Sequence, residues 1–444
     1  MIKLKNSKIF VLGMARSGYE VSKYLSKYNN EILVSDAKEQ DENQVKELEN
    51  LNVKVVIGAN PEELLDESYD IVIKNPGIKY TNPVVVKADK LGIPVINEVE
   101  AASYFFPEGL QIIGVTGSNG KTTTTNLINE FLKKDGKKVI MAGNMGIPVC
   151  SILDKLTSEA ILLLEISIQQ LCNMHHFKTN VSVLTNLSPT HIDFLDTYEN
   201  YMNTKKRIFN NHTVNDIAIL NAENSDVMAL TKDIVSTKIY FSSKKIADLC
   251  ILDDYIVYKN EKIVKLSDIK LQGMHNYENI MCAIAASMVY GVSKEAIISV
   301  LKEFGGVEHR LEYVRTLNDV LYYNDSKATN TVSTTIALKA FNKPTILIMG
   351  GLDRGHSFEP LNDYMENVKL IVCYGQTKER IKVWGESLNK EVIVKDNLQE
   401  ATMEAYHHAV SGDVVLLSPA CASWDQYKCF EDRGTEFKNI VNGL

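Results

Sequence analysis

Along this chain short apolar runs alternate with stretches whose apolar residues recur every three or four positions, the pattern of strands buried on both faces and joined by amphipathic helices. Runs at 8–12, 31–34, 53–57, 70–74 and 94–96 predict the strands of a first segment, 1–106, with a helix running from the turn Gly13-Met-Ala-Arg-Ser-Gly18 to about Lys27. A second segment, 107–305, shows strand signals at 110–115, 138–142, 160–164, 181–184 and 217–220, a helix over 124–134, and mixed short strands to about residue 270. A further helix starts near His275 and is crowded with Cys282, Ala283, Ala285, Ala286 and Ser287. The pattern breaks at Gly305-Gly306, and a third segment, 306–444, has strands at 321–324, 345–349, 370–373, 392–394 and 414–417. Strand and helix alternating in this way predict an α/β chain of three domains with largely parallel sheets.

Composition narrows the classes. At 444 residues and 45% hydrophobic content the chain can bury several cores. A net charge of −8 and a pI near 5.7 argue against nucleic acid or an anionic membrane as the main partner. No run of about 20 apolar residues predicts a membrane span, and the run ending at Gly13 is too short for a signal peptide. Cysteines at 150, 172, 250, 282, 373, 421 and 429 follow neither disulfide nor zinc spacing. They predict reduced thiols in a cytosolic protein.

The candidate chemistry centres on Gly114-Val-Thr-Gly-Ser-Asn-Gly-Lys-Thr-Thr123, set between an apolar run and a helical pattern. Glycines there let backbone N–H groups approach phosphate oxygens at a helix N-terminus; Lys121 reaches the terminal phosphates and Thr122 offers a hydroxyl to Mg²⁺. Gly117, Ser118, Asn119, Gly120 and Thr123 complete the loop, although Val115 stands where such loops usually begin with glycine. The middle domain is therefore expected to be P-loop NTPase-like. Glu165 ends the next apolar run, where such proteins place a Mg²⁺-holding carboxylate. His191 and Asp193 precede a helix expected to start at Asp196, with Glu199 completing a capping box. On that helix Lys205 shares the apolar face with Tyr201 and Ile208, whereas Lys206 and Arg207 turn toward solvent. An inward lysine admits three explanations: an ammonium paired with phosphate, an amine that has captured CO₂ as a carbamate able to approach Mg²⁺, or ordinary snorkelling. Asn276 and Asn279 share one helical turn and suit a purine edge or a cap.

Polar residues gather at strand ends elsewhere too. Arg16, Ser17, Asp36 and Gly77 follow strands of the first segment, where open α/β sheets bind ligands, and the opening βαβ pattern makes this domain Rossmann-like. Ala at position 15 leaves the dinucleotide fingerprint incomplete. In the third segment, also Rossmann-like, the clusters are Asp325-Ser-Lys327-Ala-Thr329-Asn330, Gly350-Gly-Leu-Asp353-Arg354 and Ser418-Pro-Ala-Cys-Ala-Ser423, with His309-Arg310 just past the glycine break.

Gly114–Thr123, the Glu165 strand end, Asn186 to His191, His275-Asn-Tyr-Glu-Asn279, Glu308-His-Arg310 and Asn324–Asn330 together, and in that order, resemble the ATP-dependent Mur ligases. The segments 325–330 and 418–430 are most similar to the subclass that adds D-glutamate to UDP-N-acetylmuramoyl-L-alanine. The resemblance implies a cytoplasmic, monomeric enzyme of peptidoglycan synthesis using ATP and Mg²⁺, with domains for the UDP substrate, for ATP and for D-glutamate. It implies UDP-substrate contacts at Arg16, Ser17, Asp36, Gly77 and Asn144, and a metal-side cluster of Thr122, Glu165, His191 and Lys205, the last as a carbamylated lysine. It also implies ATP contacts at Lys121, Asn276, Asn279, Arg310, Asp325 and Lys327, and a D-glutamate pocket at Thr329, Arg354, Ser423 and Phe430. Glu165-Ile-Ser-Ile-Gln-Gln170 departs from the usual Glu-Leu-Ser-Ser-Phe-Gln. A folylpolyglutamate-synthetase-like ligase, a regulatory P-loop ATPase and a dinucleotide oxidoreductase remain as alternatives.

Overall fold

The computed structural model describes residues 2–58, 60–189 and 195–444. Its contacts divide the chain into two compact units, Met1–Phe304 and Gly305–Leu444.

In the first unit, β1 (Lys8–Leu12), β2 (Glu31–Asp36), β3 (Lys54–Ile57), β4 (Ile71–Lys74) and β5 (Val95–Ile96) form an all-parallel sheet of order β3-β2-β1-β4-β5. The order reverses between β1 and β4, which opens a crevice at their carboxyl ends. A larger sheet carries β6 (Gln111–Thr116), β7 (Val139–Gly143), β8 (Ile161–Glu165), β9 (Val181–Leu184), β10 (Ile217–Asn221) and β11 (Thr237–Ser242). These are extended by β12 (Leu249–Leu252), β13 (Tyr255–Tyr258) and β14 (Glu261–Lys265), in the order β14-β13-β12-β11-β10-β9-β6-β8-β7. Only the β12-β13-β14 end is antiparallel. Alternation within β6 sends Ile113 and Val115 to the core under the helices Lys121–Lys134 and Met274–Val289, and Ile112 to the opposite face. That opposite core is continuous with residues of the first sheet, among them Val11, Ile73 and Ile96, so one apolar cluster joins both sheets.

The second unit holds β15 (Glu312–Leu317), β16 (Val320–Asn324), β17 (Thr345–Gly350), β18 (Val368–Tyr374), β19 (Glu391–Val394) and β20 (Val414–Leu417), ordered β15-β16-β20-β17-β18-β19. All pairs but β15-β16 are parallel. The loops after β16, β20 and β17 therefore leave the sheet side by side.

Three local expectations are corrected. The helix expected from Asp196 is Tyr198–Lys206, and its N-cap is Thr197, whose side chain accepts from the Asn200 N–H. Asp196 itself is left-handed, with φ +65°, so its carboxylate cannot cap. Arg207 does not simply face water: its Nη1 donates to the Cys172 carbonyl. The antiparallel strand β15 is absent from the sequence pattern because it lies at the sheet's edge, with no fully buried position and two exposed ones, Tyr313 and Thr316.

Candidate active site

The phosphate loop leaves β6, and the helix Lys121–Lys134 begins directly behind it with Gly120 as its N-cap. Gly120 has φ +82°, and a Cβ there would stand 2.1 Å from Asn279 Oδ1. Gly117, at φ +147°, would place a Cβ 2.0 Å from Thr185 Oγ1. Both positions thus require glycine, for conformation and for space. Lys121 Nζ curls back to the carbonyls of Gly117 (2.8 Å) and Ser118 (2.9 Å), and Thr122 is buried at the first turn. The loop is held from behind: Asn119 N–H donates to Asn186 Oδ1 (3.0 Å), Thr185 Oγ1 donates to the Asn119 carbonyl (2.6 Å), and Ser118 Oγ lies 2.8 Å from the Tyr201 hydroxyl. Asn279 is buried against Gly120, while Asn276 Nδ2 donates to the Gln272 carbonyl at 2.8 Å.

Glu165 ends β8, the parallel neighbour of β6, and is buried. Its Oε1 accepts from Asn144 Nδ2 at 2.8 Å, whereas its Oε2 is buried with no hydrogen-bond partner among the described residues. An orphaned carboxylate oxygen is costly, and it fits a hard divalent cation beside the phosphate loop. Among the described residues no group of three His, Cys, Asp or Glu side chains could hold a metal. A cation here would depend on this carboxylate, the Thr122 hydroxyl and ligand oxygens.

Lys205 is 1% exposed; its Nζ donates to Thr116 Oγ1 at 2.8 Å and to the Gly117 carbonyl at 3.1 Å. Burial, aided by the Lys121 charge and opposed by Glu165 and Cys172, holds its pKa well below the ordinary lysine value. Two N–H groups are engaged by these oxygens, and the lowered pKa favours the neutral amine, with its lone pair, over the ammonium. His191 lies outside the described residues.

At the crevice between β1 and β4 a cleft of about 490 Å³ is lined by Arg16, Ser17, Gly77, Asn144, Ser167 and Gln170, among others. Arg16 Nη1 donates to the Gly146 carbonyl at 3.4 Å, linking the first sheet's loop to the middle sheet's. Asn75 orders the same turn, donating from Nδ2 to Ser17 Oγ (3.1 Å) and accepting from Gly77 N–H (3.1 Å). Asp36 is not part of that lining; its oxygens accept the Met14 N–H (2.8 Å) and Lys38 N–H (2.9 Å), bracing the first loop. Glu98 also lines the cleft, and burial pushes its carboxyl up to about 7.

In the second unit the strand-end loops converge. Asp325 accepts from Leu311 N–H (3.1 Å) and Ser418 Oγ (2.8 Å), and burial pushes it up to about 7 against those bonds and the Arg310 charge. Lys327 Nζ sits 5.6 Å from the Phe430 ring centroid, and Thr329 N–H donates to the Lys327 carbonyl at 2.9 Å. Ser423 is buried, and Arg354 lies exposed over the Trp424 ring, 4.7 Å from its centroid. His309 is buried between Asn324 Nδ2, 2.9 Å away, and the Phe430 ring, so it supports this cluster. Reasoning from sequence missed Arg433, fully buried behind these loops, and the Thr185 and Tyr201 bracing. Phe430-Glu-Asp-Arg433 reads as an ordinary amphipathic helix start, which carries no signal of the first; Thr185 at a strand end was visible.

Models of known families match residues 7–97 as the MurD-like N-terminal domain of Mur ligases, 115–287 as the Mur ligase middle domain and 309–421 as the Mur ligase glutamate ligase domain. A UDP-N-acetylmuramoylalanine--D-glutamate ligase of Bacillus thuringiensis (strain Al Hakam) is 44% identical over 446 residues, covering 100% of this chain and 99% of the relative. The chain belongs to the Mur ligase family. A protein of the same name from Bacillus anthracis (strain A0248) matches to the same extent. Among solved structures, the UDP-N-acetylmuramate-alanine ligase MurC of Thermotoga maritima shares the fold, with TM-score 0.59 and 18% identity over 98% of this chain and 99% of that one. Three sheets with an N-terminal, a middle and a C-terminal domain are thus the Mur ligase architecture. Among the described residues no helix is long and apolar enough to cross a membrane.

Proposed function

We propose that this chain is the cytoplasmic, monomeric ligase that joins D-glutamate to UDP-N-acetylmuramoyl-L-alanine with ATP and Mg²⁺ in peptidoglycan precursor synthesis. The observation that carries the substrate assignment is the 44% identity to proteins of that name across the full length. On this reading 1–106 binds the UDP substrate, 107–305 binds ATP and 306–444 binds D-glutamate. The loop Gly117–Thr123, Asn276, Asn279, Arg310, Asp325 and Lys327 contact ATP. Arg16, Ser17, Asp36, Gly77 and Asn144 hold the UDP substrate; Thr329, Arg354, Ser423 and Phe430 hold D-glutamate.

An oxygen of the alanine carboxylate attacks the γ-phosphorus in line, and the bond to the β-phosphate oxygen breaks to give an acyl phosphate and ADP. The D-glutamate amine then attacks the acyl carbon, loses a proton, and expels phosphate through a tetrahedral intermediate. Both steps build negative charge on oxygen, so the protein's task is positioning and charge stabilisation. Lys121 leaves the loop carbonyls it now holds and turns to the phosphates, and Lys327 adds a second cation. Thr122, Glu165 Oε2, His191 and a carbamate on Lys205 would hold Mg²⁺, which when bound withdraws charge from the phosphate oxygens.

Carbamylation of Lys205 is supported by its depressed basicity and its spare lone pair. The amine nitrogen bonds to the carbon of CO₂, a C=O pair moves onto oxygen, and an N–H proton leaves to solvent. Lys205→Ala should be nearly inactive and partly restored by acetate; absence of any rescue counts against the carbamate. The functional assignment itself is tested by ADP release with both substrates present and with each omitted. Release should need both; a regulatory ATPase would release ADP with neither, and that result would reject the ligase.

A further inference from the structure

Arg433 is 0% exposed at the start of the helix Phe430–Gly443. Its Nε donates to Ser326 Oγ (3.0 Å), its Nη2 to the carbonyls of Ser326 (2.8 Å) and Cys421 (3.1 Å), and its Nη1 to those of Cys421 (3.1 Å) and Gly350 (3.4 Å). These acceptors lie in the loops after β16 and β20 and at the last residue of β17, so one side chain ties together three strand ends. The glycine loop is shaped to allow it: Gly351, at φ +143°, would place a Cβ 2.2 Å from the Ala422 carbonyl and 3.2 Å from Arg433 Nη1. Gly434 is pressed against His309, whose Nδ1 would be 2.2 Å from a Cβ there.

All the guanidinium donors are satisfied by neutral oxygens, and no carboxylate lies within ion-pair distance among the described residues. The buried Asp325 carboxyl feels its charge, but without direct contact; a buried cation with no carboxylate touching it is costly, and hydrophobic residues of the same volume would be cheaper for stability alone. Its place at the centre of three ligand loops points to an anion bound in front of them.

We propose that Arg433 is the positioning residue of the acidic amino-acid pocket: it locks the three loops in one arrangement and sets a fixed positive charge behind the incoming dicarboxylate. This rests on the D-glutamate reading given above, and it adds a residue that touches no substrate. Arg433 acts mainly on the second half-reaction, amine attack; because it also holds Ser326 between Asp325 and Lys327, phosphoryl transfer to the alanine carboxylate changes by a smaller factor.

The test uses the full chain, wild type and Arg433→Lys, with folding checked by far-UV circular dichroism. Two quantities are read: KM and kcat for D-glutamate in the complete reaction, and the rate of acyl-phosphate formation without D-glutamate, trapped by hydroxylamine as the hydroxamate. Expected is a rise of at least tenfold in KM for D-glutamate, with hydroxamate formation lowered by a clearly smaller factor. Arg433→Met should behave likewise and recover partly with methylguanidinium. A folded Arg433→Lys protein with unchanged KM for D-glutamate, or one losing both half-reactions equally, overturns the proposal. If the Arg433 variants do not fold, Ser326→Ala, which removes the Nε acceptor, should raise the same KM about threefold, and an unchanged KM there also overturns it. Failure of the wild-type protein to use D-glutamate would instead reject the functional reading.

Discussion

Lys205→Met is the perturbation that separates stability from function at this site. The amine is buried, and burial holds its pKa well below the ordinary value. In the unfolded chain the same lysine titrates near ~10.4. Between the depressed folded value and that one, the unfolded state carries a proton that the folded state lacks, so the wild-type protein gains stability as pH rises. The slope is up to about 1.4 kcal/mol per pH unit, and the variant lacks it. Opposing this, the substitution removes two hydrogen bonds, each worth about 1 kcal/mol. Neither acceptor is orphaned, because Gly117 keeps the Lys121 bond (2.8 Å) and Thr116 Oγ1 still donates to the Ile166 carbonyl (2.8 Å). As pH falls below about 10.4 the difference, variant minus wild type, should therefore shift in favour of Lys205→Met by up to about 1.4 kcal/mol per pH unit until the folded amine itself takes up its proton. Trp384 and Trp424 both lie in the Gly305–Leu444 unit, so indole emission follows that unit. Denaturant unfolding seen by circular dichroism and not by emission belongs to Met1–Phe304. Carbon-dioxide-free buffer is needed, and added bicarbonate should stabilise the wild type alone. A pH-independent difference between the two proteins would refute the reasoning.

Other consequences can be checked separately. Gly120→Ala forces a left-handed residue onto Asn279 and should raise the KM for ATP more than tenfold, measured by steady-state kinetics; an unchanged KM would mean that the loop is not the phosphate site. Glu165→Gln should lower kcat by roughly 10²–10³ and raise the Mg²⁺ needed for half-maximal rate, because it neutralises the orphaned oxygen. Lys327→Ala should cost a similar factor of roughly 10²–10³ in kcat with the fold intact by circular dichroism. His212 is held neutral, its pKa pushed by burial down to about 4, with Nε2 near Thr179 and Ser182 and Nδ1 near Ser236. Its folded value lies below the unfolded one near ~6.5, so its stabilisation is full at neutral pH and is lost as pH falls from about 6.5 toward 4. The acid limb of the denaturation curve should flatten in His212→Gln.

Much of this was legible in the sequence because parallel strands buried on both faces write themselves as apolar runs and their ligand-bearing loops follow directly. Gly114–Thr123 and Glu165 could each be placed at a strand end from that pattern, and Lys205 could be turned inward by helical spacing. What the pattern lacked was geometry between segments. It could not say that Glu165 leaves one oxygen orphaned, or that Asn144 takes the other, since those facts depend on β7, β8 and β6 being adjacent. Asp36 could be read as a strand-end carboxylate, but the pattern did not show that its oxygens also accept two backbone N–H groups and so brace the first loop. Arg433 was silent for a different reason: a buried guanidinium and a solvated one are the same letter, and only the three carbonyl-bearing loops around it distinguish them. The cap at Thr197 in place of Asp196 reflects the left-handed turn, which one-residue reading of a capping box does not resolve.

The most direct test of the acyl-phosphate account follows an oxygen atom. UDP-N-acetylmuramoyl-L-alanine labelled with ¹⁸O in the alanine carboxylate would be turned over with ATP and D-glutamate, and the released phosphate examined by mass spectrometry. The account predicts that each phosphate carries one oxygen from that carboxylate, with the label retained in the remaining amide carbonyl. Phosphate free of label would contradict it, because the γ-phosphoryl group would then never have been bonded to the alanine carboxylate.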